Sequence, residues 1–368
     1  MQRCVNVIGV GLSPFRTTSL GPDPTVLVSA TIRQALSDAG LSASNIASVY
    51  AVAGMMDGAT LQRALHRVGF SHVPLCHFPE GEGDGSIVFA RACQAIAQGQ
   101  AESILVLGVQ SAAARSAPSL TFERLGTTAR DYMARYQIRQ ETFAMIAVKA
   151  RRHAALNPLA AFNRALKLEQ VLGADMIAEP LTHPQFAWGS SGVAAVLLCS
   201  SEFARRHCSG PAVRIAAQAW VSPQQVAGLN QASIFAGIDY DVNVAAARAL
   251  YEQAGMGPQE VTVCELHDTS TVSELLLYEA LGFCPEGSAE KMVEDGDNTE
   301  GGNLVINPSG GLLSLGHASA ASSLAQCIEL VHQLRGNAGR RQVADARLAL
   351  QHQTGADGTV TTTLYQRD

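Results

Sequence analysis

Short β-branched runs alternate with alanine-rich stretches of helical period through the N-terminal third of the chain. Val5–Val10 is almost continuously apolar and predicts a buried strand. Val26–Ala39 places apolar residues at helical spacing and stops at Gly40, a residue that ends helices. Ser48–Val52 predicts a second strand, Ser86–Gln98 a helix stopped by Gly99, and Ile104–Val109 a third strand. Strands and helices in alternation predict a layered α/β fold.

The pattern then returns. QALSDAGLSASNIASVYAVAG (34–54) and RALYEQAGMGPQEVTVCELHD (248–268) share one order: a helix ending at Ala-Gly, a polar turn, a strand. The helix at 86–98 has a counterpart in the small-residue segment GHASAASSLAQCIELVHQLRG (316–336). Each of the two is followed by a strand, ESILVLGVQ and ARLALQHQT. A repeat at a spacing of roughly 215 residues predicts two related halves from one duplication. Residues 112–185 break the pattern. They are rich in Arg, His, Tyr and Met and predict an insertion of loops and helices, of the kind that commonly covers an active site.

Composition narrows the partners. The chain has 368 residues, 47% of them hydrophobic, enough for a large core or two fused cores. A net charge of -6 gives no reason to expect nucleic acid. No window approaches the roughly 18 consecutive apolar residues of a membrane span, and MQRCVNVIGVG is apolar too briefly for a secretory signal. The eight cysteines form no CxxC pair, which argues against a zinc knuckle and fits a reducing cytoplasm.

Several motifs carry a family resemblance that spans nearly the whole chain. INPSGGLLSLGHASAASSLAQ (306–326) resembles the Asn-Pro-x-Gly-Gly to Gly-His-Pro loop of thiolases. CELHDTSTVSELLLYEALGFCPEG (264–287) resembles the His-Asp-Cys-Phe segment of sterol-carrier-type thiolases. YMARYQIRQETFAMIAVKARRHAALNP (132–158) resembles the loop region of that branch, LALQHQTGADG (348–358) its C-terminal His-Asn-x-Gly loop, and VNVIGVGLSPF (5–15) its first strand. The resemblance implies the thiolase fold: two duplicated βα halves in an α-β-α-β-α layered core, with an inserted loop domain. It divides the chain into an N-terminal half (1–111 and 186–210), a loop domain over the site (112–185) and a C-terminal half (211–368). It implies an acyl-CoA substrate, with coenzyme A entering as part of the substrate and no tightly bound cofactor or metal. It also implies a homodimer and, by analogy with some relatives, a small zinc-containing OB-fold partner.

A thiolase uses a cysteine at the start of a buried helix, a second cysteine as acid/base, and histidines that hold the thioester oxygen. Counting back from QAIAQGQ (94–100), the nucleophile position falls on Glu82, with no cysteine beside it. The acid/base cysteine becomes Thr269 and the proline after the Gly-His pair becomes Ala318. What the resemblance leaves is His267, Asp268, His317 and His352, drawn from three loops and expected to meet at one oxyanion. Glu82 has two readings: a decayed position in an acidic loop that caps the helix, or a buried general base. A third reading is an unexpected nucleophile, for which Cys76 is the only candidate. Lys149, Arg151, Arg152 and His153 form either a solvated helix face or a contact to the CoA phosphates, with Lys149 and Arg152 the contacting residues. Gly310, Gly311 and Gly316 are the glycines expected along the CoA-binding loop. VIGVG lacks the third glycine of a dinucleotide site, and GGNLVINPSGG lacks the Lys-Ser/Thr of a phosphate loop. Two functions compete: a carbon–carbon lyase of retro-aldol or other enolate type, and a non-catalytic thiolase-like subunit that binds CoA esters.

Overall fold

The computed structural model describes residues 3–21, 23–79, 84–111, 119–208, 210–226 and 238–367. The N-terminal half runs β1 (Val5–Leu12), α1 (Pro24–Ala39), β2 (Ser48–Gly54), α2 (Gly58–His66), β3 (Leu75–Phe78), α3 (Gly85–Ala97) and β4 (Ser103–Gln110). The insertion follows with α4 (Ser119–Tyr136), α5 (Gln140–Ala154), α6 (Leu168–Leu172), β5 (Met176–Ala178) and β6 (Leu181–Thr182). The chain then returns through β7 (Gly192–Ser200) and α7 (Ser201–His207). The C-terminal half runs β8 (Val213–Val221), α8 (Tyr240–Ala254), β9 (Val263–Glu265), α9 (Thr271–Ala280), α10 (Ala289–Glu294), β10 (Val305–Ile306), α11 (Gly311–Ser314), α12 (Ser322–Arg335), β11 (Leu348–Thr354) and β12 (Val360–Arg367).

The duplication is visible in the strand order. Ten strands form one sheet, β10-β9-β11-β12-β8-β1-β7-β4-β2-β3. Read outward from its centre, each half has the same order: β1-β7-β4-β2-β3 on one side and β8-β12-β11-β9-β10 on the other. The senses match too. β2 is parallel to β3 and β4 as β9 is to β10 and β11, while β7 and β12 run antiparallel to both neighbours. The halves join where β1 pairs antiparallel with β8 through Asn6–Arg214 and Val7–Val213. The two repeated helices end alike, because Gly40 and Gly255 both sit at positive φ and return their N–H to the last helical turn.

Helices cover and separate the two half-sheets. Val28, Ile32 and Leu36 of α1 and Leu61 of α2 pack on Leu105, Leu107 and Leu197 of the first. Val88, Phe89 and Ile96 of α3 and Leu324, Ile328 and Val331 of α12 lie in the cluster that also holds Val7, Val106, Val213 and Val263. Nearly every residue of α12 is buried, as expected of a helix with sheet on both sides. Leu250 of α8 and Leu275 and Leu276 of α9 cover Cys264, Leu350 and Leu364, and α4 and α5 add Leu125, Tyr132, Phe143 and Ile146 to the same cluster. The insertion therefore packs on the C-terminal half. No helix among the described residues is long and apolar enough to cross a membrane.

Candidate active site

The segment after β9 is held on both sides before it reaches His267. Leu266 N–H donates to Asn307 Oδ1 at 2.7 Å, and Leu266 O accepts from Gln326 Nε2 of α12 at 2.8 Å. His267 N–H then donates to His352 Nδ1 at 3.4 Å. The glycine-rich loop is anchored in the same way. His317 N–H donates to Trp188 O at 3.1 Å, and His317 O accepts from Ser190 N–H at 2.9 Å. These two anchors place the His267 and His317 rings edge to face, with centroids 5.6 Å apart.

Both rings line a cavity of about 630 Å³, shared with Thr269, Asp84, Asp239 and Gln353. His267 Nδ1 donates to Gln353 Oε1. An amide oxygen can only accept, so the proton of neutral His267 is on Nδ1 and its Nε2 carries the lone pair. No hydrogen bond within the described residues engages the His317 ring. Burial, then the neighbouring imidazoles of His317 and His352, hold His267 well below the usual histidine range. Burial also lowers His317, against an opposing pull from the Asp84 carboxylate. Both imidazoles are neutral at physiological pH.

The other residues named from the sequence stand elsewhere. His352 is fully buried behind His267, outside the cavity lining. Its Nε2 donates to Asn243 Oδ1 at 2.5 Å and its Nδ1 accepts from the His267 backbone N–H, so both nitrogens are committed within the protein. Burial pushes it down to about 3. It sits on β11, where side chains alternate, and the cavity receives Gln353 instead. Asp268 is not the group that orients a histidine ring. Its carboxylate accepts from Leu312 and Leu313 N–H at 2.7 and 3.3 Å, capping α11, and burial with nearby Glu274 raises it well above the usual carboxylate range. Gly310, Gly311 and Gly316 are buried packing positions and do not line the cavity. A side chain would strike Ala154 at Gly310, Asp268 at Gly311 and Ser190 at Gly316, and Gly311 also needs its φ of +62°.

The basic cluster stands apart from the cavity lining. Lys149 is buried in an ion pair with Glu274 of α9. His153 is buried and donates from Nδ1 to Asn307 O at 2.9 Å. Arg152 is exposed and donates to Thr299 Oγ1, away from the cavity lining. Glu82 lies outside the described residues.

Asp84, Gln353 and Asp239 line the cavity without having been among the sequence candidates. Asp84 had a signal, since an Asp ahead of a helical run is an N-cap. Its Oδ1 accepts from Ser86 and Ile87 N–H at 2.8 and 3.2 Å. Gln353 is the strand neighbour of a candidate and faces the opposite side. Asp239 had no local signal. None of the eight cysteines lines the cavity. Cys93 and Cys327 are buried in the shared core cluster between α3 and α12, where burial raises their thiols, and Cys76 is exposed on edge strand β3.

Residues 235–365 match the family model described as "Thiolase C-terminal domain-like". The chain is 36% identical to "Sterol carrier protein 2" of Bos taurus, over 100% of this chain and 73% of that protein. It is 30% identical to "Benzoylsuccinyl-CoA thiolase subunit BbsB" of Thauera aromatica, over 100% of this chain and 98% of that one. Its fold superposes on the "Ltp2-ChsH2(DUF35) aldolase" with a TM-score of 0.82 at 25% identity, over 99% of this chain and 98% of that chain. With the duplicated sheet and the sequence relatives in agreement, the chain belongs to the thiolase superfamily, in its sterol-carrier-type branch.

Proposed function

We propose that this protein is an acyl-CoA-handling enzyme that breaks, or in reverse makes, the Cα–Cβ bond of a CoA thioester by enolate chemistry of the retro-aldol type. The observation that carries this reading is the composition of the cavity among the described residues: two neutral imidazoles, two carboxylates and no thiol. Claisen chemistry through an acyl-cysteine needs a thiolate beside the thioester, and Glu82 stands where the family resemblance puts that cysteine. Retro-aldol cleavage needs no covalent intermediate. A base takes the proton of a β-hydroxyl, the Cα–Cβ bond breaks, and its electron pair moves onto the thioester oxygen as an enolate. Protonation of the α-carbon then releases an acyl-CoA beside the ketone or aldehyde.

His317 suits the enolate oxygen, because its ring, which no described residue engages, can donate a hydrogen bond at low cost in reorganisation. His267, with Nδ1–H fixed by Gln353, adds an accepting nitrogen at the same wall. The solved "Ltp2-ChsH2(DUF35) aldolase" supports carbon–carbon bond chemistry on this fold, and its name includes a DUF35 component. A hetero-complex with a small OB-fold protein is therefore part of the proposal, with CoA esters as the substrate class.

A second reading, a non-catalytic subunit, is favoured by the relative named as a thiolase subunit. Incubation with 3-hydroxy-3-phenylpropionyl-CoA separates the two. The lyase reading expects benzaldehyde and acetyl-CoA, no thiolysis of acetoacetyl-CoA, and no acyl adduct on the protein by mass spectrometry. Tight binding of the ester with no turnover would move the assignment to the subunit reading. A stable adduct on Cys76 would restore a covalent mechanism.

A further inference from the structure

We propose that Asp239 is the acid/base residue of this cavity, taking the β-hydroxyl proton as the Cα–Cβ bond breaks and returning it to the α-carbon. The assignment rests on the enolate reading above. Asp239 directly precedes α8 in the left-handed region, at φ 52° and ψ 45°. A residue with a Cβ pays about 1–2 kcal/mol there, and Asp is one of the few that visits it. An Asp at a helix start ordinarily accepts an amide of the first turn through its side chain. Asp239 does not. Its backbone carbonyl starts the helix instead, accepting from Val242 and Asn243 N–H at 3.0 and 3.2 Å. Asp239 lines the cavity, and no hydrogen bond within the described residues engages its carboxyl. The 355–358 turn leaves it room, since a side chain at Gly358 would come within 3.3 Å of its Oδ2.

Asp84, the other cavity carboxylate, is committed to capping α3 and fits the role less well. Asp239 is also tied in position to His267. Asn243 Nδ2 donates to Asp239 O at 3.1 Å, Asn243 Oδ1 accepts from His352 Nε2, and His352 Nδ1 accepts from His267 N–H. One continuous hydrogen-bonded chain thus ties the backbones that carry Asp239 and His267 to each other, and gives buried His352 its function. Burial raises the Asp239 carboxyl above its ordinary range, and Arg124 of α4 opposes that rise. Asp84, His267 and His317 share the cavity with it, and Asp241 and Tyr240 follow it on its own helix. Asp357, in the turn packed against it, is occupied by Thr359 N–H and Oγ at 3.0 and 2.8 Å. Partial desolvation makes Asp239 a stronger base than a carboxylate in water.

The reverse half-reaction gives the test. Propionyl-CoA in deuterated water exchanges its α-hydrogens if the cavity forms the enolate, and mass spectrometry reads the rate. The unsubstituted protein is expected to exchange, with a rate that rises with pH through the carboxyl titration and then levels. Asp239→Ala should lower the rate by about 100-fold or more and remove that rise, with ester affinity unchanged. Added formate should restore about tenfold, because it supplies the missing carboxylate. An Asp239→Ala rate within about threefold of the original, or no rescue by formate, would overturn the assignment. Exchange lost in His317→Ala but intact in Asp239→Ala would leave the enolate reading standing without Asp239. No exchange in the unsubstituted protein would remove that reading and the assignment with it.

Discussion

Lys149→Met is expected to destabilise the protein by roughly 3–5 kcal/mol, the cost of removing one partner from a buried ion pair. The Lys149 side chain is 5% exposed and that of Glu274 is 0% exposed. Methionine keeps much of the aliphatic stem but leaves the Glu274 carboxylate without its counter-ion. Tyr278 Oη and Asn307 Nδ2 still donate to it, the latter at 3.2 Å, which offsets part of the loss. The effect should reach the active site as well. Asn307 holds Leu266, the residue before His267, so a disturbed Glu274 loosens the strand exit that aims the imidazole. Urea unfolding midpoints measure the stability change. Glu274→Gln in the same chain should recover a good part of it, because the remaining pair is then neutral. A loss below about 1 kcal/mol for Lys149→Met alone would show that the pair is screened like a surface one.

His317→Ala should lower turnover of a β-hydroxyacyl-CoA by about 100-fold or more while leaving ester affinity nearly unchanged. The loss belongs to kcat because the ring meets an oxygen whose charge develops only in the transition state. The backbone around His317 is fixed by Trp188 and Ser190 rather than by its ring, so the truncated loop keeps its path. Steady-state kinetics together with ester titration check this. A rise in KM alone, with kcat intact, would make His317 a binding residue.

The fold was legible where local pattern and repeat agreed. Gly40 and Gly255 mark equivalent helix ends, and α1, β2, α3 and β4 begin and end within two residues of the positions their apolar spacing predicts. Segments dominated by distant contacts were not legible in the same way. Lys149 reads as part of a basic helix face, and its partner Glu274 lies on a helix far along the chain, so nothing near it in sequence announces an ion pair. His352 carries a family motif, yet strand alternation alone does not say which of His352 and Gln353 meets the cavity. The answer depends on α8 supplying Asn243 behind the strand. The loop glycines read equally as ligand-facing or as packing positions until Ala154, Asp268 and Ser190 are seen against them. Asp239 was invisible because its role depends on a backbone conformation and a cavity, neither of which has a sequence signature.

The structure of this protein with propionyl-CoA bound tests the central claim most directly. The account predicts the thioester oxygen within about 2.7–3.2 Å of a His317 ring nitrogen, with the acyl carbon in the cavity bounded by His267 and Asp239 and unattached to any side chain. A thioester seated away from His317, or an acyl group bonded to a cysteine, would contradict it.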